Sequence, residues 1–321
     1  MIDNVVDPDV EAPVSRLSDF VILRKLGAHD GITSYLAEKR GAFGFAKRVM
    51  LKVADRPVGE GLDVALRLSD EARLGMRLIH PNLLQTLDLG RDEDRFFLVR
   101  EWVEGVGLRR LMHRTWERGE AIPTTAALRM TIGVCRVLDY LHSLKAKPWA
   151  PSGIVHRGVA PSNILISYAG EVRLANLFMA RGPNKRAEGK PHVGGMRLIP
   201  AFTAPEVGAG RPAEAAADVF GLGIALYECL LGPAALGGKT DSDWLRTRDD
   251  EAMVDALESA DIPDELREVV VRATTANPAV RYRTAAHFKN DLRLILKDRF
   301  RADGDDELRA LVEAASEPPP D

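Results

Sequence analysis

The first hundred residues alternate short apolar runs with polar, glycine-containing turns, which is the pattern of a small β-sheet. The apolar runs 20–23 and 49–53 are shorter than a typical helix. Glycine marks the turns in this region, at Gly27, Gly31, Gly41 and Gly44. Residues 61–79 instead repeat apolar positions at helical spacing, up to a break before Pro81. Two further strands are predicted after that break, at 83–90 and 95–102.

After Gly105 the pattern becomes chiefly helical. The longest amphipathic stretch covers residues 124–144 and begins with a threonine that can cap a helix. Further helices are predicted at 218–231, 249–260, 264–273 and 284–299. Residues 305–315 have a composition that allows one more short helix. The chain is therefore predicted to be an α+β protein, with a small, mostly antiparallel β-rich lobe and a larger helical lobe.

Composition narrows the classes of function. The 321 residues are 45% apolar and 28% charged, which is ordinary for a globular protein with a sizeable core. A net charge of -3 gives no support for nucleic-acid binding. Cys135 and Cys229 lie in apolar helical patterns, which favours buried thiols over a disulfide. The most apolar run, 219–231, contains Glu228 and is too short to span a membrane. We therefore expect a cytoplasmic protein without a membrane span or a nucleic-acid partner.

The most specific motifs lie between residues 154 and 178. The sequence I-V-H-R-G-V-A-P-S-N-I-L-I places His156 and Asn163 seven positions apart, and Asn176 begins the later N-L-F. These two segments resemble the catalytic loop H-R-D-x-x-x-x-N and the metal-binding loop D-F-G of protein kinases. The resemblance implies the two-lobed kinase fold, with a β-rich N-lobe that carries one main helix and a helical C-lobe.

Other kinase motifs occur in the family's order. Lys52 ends V-M-L-K and resembles the V-A-I-K lysine, and Glu71 matches its ion-pair partner in the following helix. Glu101 and Val103 match the hinge between the lobes. Later motifs are Ala204-Pro205-Glu206, Asp218 at a helix start, and Arg281, which pairs with the A-P-E glutamate in the family. The resemblance is to bacterial serine/threonine kinases of the eukaryotic-like type.

The sequence pattern and the extent of the resemblance together predict the domain organisation. A leader of residues 1–18 is expected to be disordered or loosely attached. The kinase-like domain is expected at 19–297, with the N-lobe at 19–104 and the C-lobe at 105–297. The tail, 298–321, would follow that domain.

The residues that carry out catalysis in the family are replaced in this chain. Gly158 stands at the catalytic aspartate, Ala160 at the lysine two positions on, and Asn176 at the aspartate of D-F-G. Gly158 has no side chain to accept a proton, and a neutral amide is a poorer magnesium ligand than a carboxylate. We therefore predict no catalytic residue and no metal site.

The nucleotide pocket departs from the family in the same way. The glycine-rich loop keeps Gly27, but His29 and Ile32 stand at its second and third glycine positions. Met50 replaces the small residue that packs on adenine, and Arg100 stands at the gatekeeper position before the hinge. Arg100 either plugs the adenine site, with Glu71 as its nearest partner, or extends along the strand to solvent.

The resemblance assigns seven residues to a residual nucleotide site. These residual positions are Gly27, Lys52, Glu71, Arg100, Glu101, Val103 and Asn163. The Lys52–Glu71 pair has two interpretations, a structural link between helix and sheet or a remnant of nucleotide binding. We expect the binding of ATP and Mg²⁺ to be weak or absent, and we expect no other cofactor.

The prediction from sequence is a pseudokinase that acts as a signalling scaffold or allosteric regulator. Its partner would be a protein, such as an active kinase or a phosphoprotein. The alternative is a divergent ATP-dependent serine/threonine kinase, or another nucleotide transferase, with weak activity. The segment 182–197 is basic and contains no Ser, Thr or Tyr, which fits either a solvated loop or a docking surface for an acidic or phosphorylated partner.

Overall fold

The computed structural model describes residues 16–57, 59–147, 153–177, 180, 200–232, 250–300 and 304–316. The predictions for residues 1–15 of the leader and for the basic segment 182–197 lie outside these residues. Within them the predicted α+β fold is confirmed, as a curled antiparallel sheet with one helix followed by a helical lobe.

The N-lobe is built on one six-stranded antiparallel sheet with the order β1-β2-β3-β4-β6-β5. Its strands are β1 Arg16–Leu17, β2 Phe20–His29, β3 Ile32–Arg40, β4 Ala46–Ala54, β5 Thr86–Asp92 and β6 Arg95–Glu101. Helix α1, Leu62–Gly75, packs against β5 and β6. Its buried side includes Val64, Leu68 and Ala72, which lie on one face because they follow helical spacing.

Two boundaries in the N-lobe differ from those predicted. The sheet begins at Arg16, within the segment expected to be a leader, because β1 lies there and pairs with β2. The strand predicted at 83–90 begins only at Thr86. The backbone N–H of Leu84 donates to the carbonyl of Leu174 at 2.8 Å, so this part of the chain joins the N-lobe to the C-lobe instead of extending the sheet.

The C-lobe combines a small antiparallel sheet with a set of packed helices. The strands of this sheet are β7 Gly105–Gly107, β8 Ile164–Ser167 and β9 Val172–Leu174. The helices are α2 Leu108–Glu117, α3 Thr124–His142, α4 Pro205–Gly208, α5 Ala215–Leu231, α6 Asp250–Glu258, α7 Asp264–Thr274, α8 Ala285–Arg299 and α9 Asp305–Ser316. Cys135 and Cys229 are buried free thiols on α3 and α5, as predicted, and burial raises the pKa of both.

The tail contributes helix α9 to the helical lobe. Leu308 and Val312 are completely buried on it, and Asp305 forms an ion pair with Arg129 of α3. A glycine is required where α9 begins, because a Cβ on Gly304 would lie 2.5 Å from a backbone oxygen and φ there is +82°. In the described part of the chain, no helix is long and apolar enough to cross a membrane.

Candidate functional site

Three charged side chains meet in the core of the N-lobe. Lys52 comes from β4, Glu71 from α1 and Arg100 from β6. Lys52 Nζ lies 3.3 Å from Glu71 Oε2, and Arg100 Nη2 forms an ion pair with the other carboxylate oxygen. Arg100 is only 1% exposed, which excludes the alternative that it extends along the strand to solvent. Its side chain is instead directed towards α1.

Two cations share one carboxylate in this cluster, and this has electrostatic consequences. Burial and then the charge of Arg100 hold the pKa of Lys52 well below its usual range. Burial lowers the pKa of Arg100 itself to about 10, although Glu101 acts in the opposite direction. Among the described residues, the buried Nε and Nη1 of Arg100 have no hydrogen-bond acceptor. Glu71 is therefore the residue on which both buried cations depend.

A run of hydrogen bonds leads from this cluster into the catalytic loop. Lys52 Nζ donates to Asn176 Oδ1 at 2.9 Å, and Asn176 Nδ2 donates to Asn163 Oδ1 at 3.2 Å. Asn163 Nδ2 then donates to the carbonyl of Gly158 at 2.7 Å. Asn176 has φ +76°, a left-handed conformation that asparagine adopts more readily than most residues. Both side-chain amide oxygens thus already accept an N–H from the protein.

The backbone of the catalytic loop is fixed by two buried side chains. Asp218 accepts the backbone N–H groups of His156 and Arg157, each at 2.7 Å, and also contacts His142 Nε2 at 2.8 Å. Burial alone would raise the pKa of Asp218, but the hydrogen bond and charge of His142 keep it below its usual value. His156 accepts the N–H of Gly158 at Nδ1, 3.2 Å away, while its Nε2 lies 3.1 Å from the carbonyl of Ala175.

The position of Gly158 has room for a side chain. A Cβ there would lie 3.5 Å from Asn163 Nδ2 and 3.6 Å from His156 Nδ1, which are ordinary contact distances. Ala160, two positions on, is buried. The loop geometry therefore does not demand glycine where the family has its catalytic aspartate.

The tip of the predicted phosphate loop is attached to helix α1. Asp30 and Gly31 have φ values of +52° and +76° and form the two-residue turn between β2 and β3. Arg67 Nη2 of α1 donates to the carbonyl of Asp30 at 3.0 Å, and a Cβ on Gly31 would lie 3.2 Å from Val64. Gly27 is not in a loop, because it pairs with Ser34 within the sheet.

The slot that holds adenine in kinases is lined by closely packed apolar side chains. One buried cluster brings together residues of the N-lobe, the hinge and the C-lobe, namely Leu26, Leu36, Met50, Leu84, Val103, Leu165 and Ala175. Met50 in this cluster is 2% exposed. Glu101, beside the hinge, accepts the backbone N–H of Gln85 at 2.7 Å.

A second buried ion pair stabilises the C-lobe. Arg281 donates from Nη1 and Nη2 to the two carboxylate oxygens of Glu206, at 2.9 and 3.1 Å. The same guanidinium donates to the carbonyls of Ala216 and Thr275. This bidentate pair connects the A-P-E segment to the helices.

Sequence reasoning missed several residues of the site. The contacts of Asp30 with Arg67 and of His142 with Asp218, and the places of Leu165 and Ala175 in the slot, were not predicted. The pair of asparagines at 163 and 176 could have indicated the amide run, because a side-chain amide both donates and accepts hydrogen bonds.

This site and fold are those of a protein kinase domain, and comparisons with known proteins agree. The sequence pattern of the protein kinase domain matches residues 39–292, so the chain belongs to the protein kinase family. It is 27% identical to the tyrosine-protein kinase MasK of Myxococcus xanthus over 286 residues, which cover 89% of this chain and 44% of that protein.

Another curated relative is a serine/threonine-protein kinase. The chain is 28% identical to the serine/threonine-protein kinase PknB of Mycobacterium tuberculosis, over 76% of its length and 38% of PknB. It thus spans less than half of the curated relatives that it matches. The PknI kinase domain of Mycobacterium tuberculosis superposes with a TM-score of 0.61 at 22% identity, covering 89% of this chain and 98% of that domain. The predicted resemblance to bacterial serine/threonine kinases is confirmed.

Proposed function

We propose that this chain is a pseudokinase, a kinase fold that transfers no phosphate and acts through a protein partner. The observation that carries the proposal is the hydrogen-bonded run from Lys52 through Asn176 and Asn163 to the carbonyl of Gly158. It fills the positions from which a kinase holds the metal, the phosphates and the attacking hydroxyl.

The donor set does not fit Mg²⁺. Magnesium in kinases is held by the aspartate of D-F-G and the asparagine of the catalytic loop, together with phosphate oxygens. Here both positions are neutral amides, and each amide oxygen already accepts an N–H, from Lys52 in one case and from Asn176 in the other. A metal ion would share both oxygens with these N–H donors and would gain only two uncharged ligands.

The proton acceptor and the nucleotide pocket are also unsuitable for phosphoryl transfer. Gly158 has no side chain, so the catalytic loop offers no carboxylate where the family has one. Met50 and Leu165 are buried in the apolar cluster that lines the slot between the lobes. The turn at Asp30 is held to α1 by Arg67. We therefore propose that the chain uses no cofactor and binds ATP weakly or not at all.

One observation favours the alternative, a divergent ATP-dependent kinase or nucleotide transferase. Lys52 and Glu71 keep the ion pair that positions ATP phosphates in the family, at 3.3 Å. The same pair has a structural explanation, because Glu71 neutralises two buried cations. We favour the structural explanation because Lys52 also donates to Asn176.

The proposed mode of action is binding to a signalling protein in the cytoplasm, such as an active kinase or a phosphoprotein. A transfer assay with labelled ATP tests the proposal that the chain transfers no phosphate. Since the relatives include a tyrosine kinase and serine/threonine kinases, the acceptor peptides should contain serine, threonine and tyrosine. We expect no incorporation above background. Incorporation that disappears in Lys52→Ala would support the alternative, whereas incorporation that persists in that variant would come from a contaminating kinase.

A further inference from the structure

The turn between β3 and β4 presents two phenylalanines to solvent. Phe43 is fully exposed, more than any other large apolar side chain in the described part of the chain, and Phe45 is 65% exposed. Every residue from 41 to 48 is exposed, so the turn projects from the sheet. Large apolar side chains that are exposed together usually mark a site of interaction.

Backbone hydrogen bonds give this turn a defined shape. The N–H of Gly41 donates to the carbonyl of Phe45 at 2.7 Å, and the N–H of Phe45 donates to the carbonyl of Ala42 at 3.1 Å. Phe43 has a φ of +56°, a left-handed conformation that is uncommon for an aromatic residue. Since its ring is fully exposed, packing within the described residues does not account for a phenylalanine at this strained position.

Basic residues flank the two phenylalanines on both strands. Between positions 39 and 48 the chain has no acidic residue and four basic ones, Lys39, Arg40, Lys47 and Arg48. The two arginines form ion pairs with Glu38 and Glu104. Lys39 and Lys47 are directly opposite each other in the β3–β4 ladder, and neither forms an ion pair with a described residue. Like charges in this arrangement repel each other, and a bound anion would relieve the repulsion.

We propose that this turn binds the surface of a membrane that contains anionic lipids, with the rings of Phe43 and Phe45 inserted and the basic residues among the headgroups. The order of side chains along the hairpin matches the layers of a bilayer. Lys47 is two residues from Phe45, which corresponds to about 7 Å of extended strand. Apolar side chains of membrane-surface proteins reach about 5–10 Å into the boundary between headgroups and acyl chains. The cations therefore lie at the level of the lipid phosphates when the rings reach the acyl chains.

This geometry favours a lipid surface over a protein partner. The rings stand at the end of a hairpin with cations behind them on both strands, which suits a flat surface that carries negative charge on every side of the tip. The net charge of -3 on the whole chain does not oppose this contact, because charges separated by more than about 8 Å are largely screened at physiological ionic strength. The proposal does not depend on whether the chain transfers phosphate.

Cosedimentation of the full chain with vesicles tests the proposal. The vesicles are phosphatidylcholine alone, or phosphatidylcholine with about one third phosphatidylserine, and we expect binding to the second kind only. The double variant Phe43→Asn and Phe45→Ser should lower the partition coefficient by about tenfold or more, because it removes both apolar rings. Asparagine at 43 keeps the left-handed turn. The matched control is Leu294→Gln on α8, which removes a leucine that is 58% exposed and should leave binding unchanged.

Neutral substitutions of the unpaired lysines test the role of charge. Lys39→Gln and Lys47→Gln together should weaken binding to the anionic vesicles by about tenfold or more. The control double variant, Arg95→Gln with Lys297→Gln, removes two exposed cations elsewhere and should bind like the unmodified chain. Thermal melts of all variants, followed by circular dichroism, check that the fold is kept.

Insertion of the tip is measured directly with Phe43→Trp. Its fluorescence should be quenched by brominated lipids in the anionic vesicles more strongly than that of the unmodified chain, because the added indole reaches the acyl boundary. Three results would overturn the proposal. They are a folded chain that binds neither kind of vesicle, binding that is unchanged when both phenylalanines or both lysines are replaced, and no additional quenching in Phe43→Trp.

Discussion

Lys52 donates to the amide oxygen of Asn176 at 2.9 Å, while its ammonium group also lies 3.3 Å from the carboxylate of Glu71. The lysine that contacts nucleotide phosphates in kinases is therefore bound on two sides by this protein's own groups. This contact joins the N-lobe to the segment that matches the metal-binding loop, without a ligand between them.

The shared carboxylate predicts unequal effects of mutation in the buried cluster. Glu71→Gln leaves Lys52 and Arg100 without a counter-charge, which should lower the free energy of unfolding by about 3–5 kcal/mol. Arg100→Met removes a costly buried charge but keeps the Lys52–Glu71 pair, so stability should be unchanged or higher. Urea denaturation of both variants measures the difference. Equal losses in the two variants would contradict this account of the cluster.

The Glu206–Arg281 pair should be essential to the stability of the C-lobe. Glu206→Gln or Arg281→Met leaves one buried charge without its partner, which we expect to cost about 3–5 kcal/mol. Denaturant unfolding followed by fluorescence provides the measurement. Arg299→Met removes an exposed ion pair with Glu265 and is a suitable control, with an expected loss much smaller than that of the buried pair.

Stability should fall as the pH decreases below neutrality, in part through His156. Burial lowers the pKa of this residue in the folded protein, and the neutral ring uses both nitrogens, one towards Gly158 and one towards Ala175. The unfolded chain therefore binds the proton first, at a pH near about 6.5. The contribution of His156 is fully present above that pH and is lost as the pH falls below it.

The variant His156→Gln isolates this effect. It should be less stable at pH 7, but its stability should depend less on pH below about 6.5, by at most one proton or about 1.4 kcal/mol per pH unit. Chemical denaturation at a series of pH values provides the measurement. If the stability of this variant falls as steeply with decreasing pH as that of the unmodified chain, other groups cause the pH dependence.

The sequence predicted the fold well because many motifs in a fixed order restrict the possible arrangements. It placed Lys52, Glu71 and Asn163 at the site, and it identified Gly158 and Asn176 as replacements. The sequence did not decide whether the Arg100 side chain enters the adenine site or extends to solvent, because its burial depends on how β6 packs against α1. The contact between Lys52 and Asn176 joins residues 124 positions apart, so only the assembled lobes reveal it.

Emptying the adenine slot should restore binding without restoring catalysis. Met50→Ala and Arg100→Met together remove the bulk of Met50 from the apolar cluster and the buried charge beside it. Adenine-type ligands should then raise the melting temperature, since a ligand at about one hundred times its Kd adds about 2.7 kcal/mol. Phosphate transfer should remain absent, because Gly158 and Asn176 are unchanged. No ligand-induced shift in the double variant would show that other residues close the slot.

In the proposed pseudokinase, protein amides replace the metal and the nucleotide phosphates at the catalytic centre. Thermal unfolding of the unmodified chain in millimolar ATP, with and without Mg²⁺, tests it most directly, with Asn176→Asp as the comparison variant. We predict that the melting temperature of the unmodified chain is the same in both conditions as without ligand. A rise that requires both ATP and Mg²⁺ would contradict the account and favour a nucleotide-binding kinase domain.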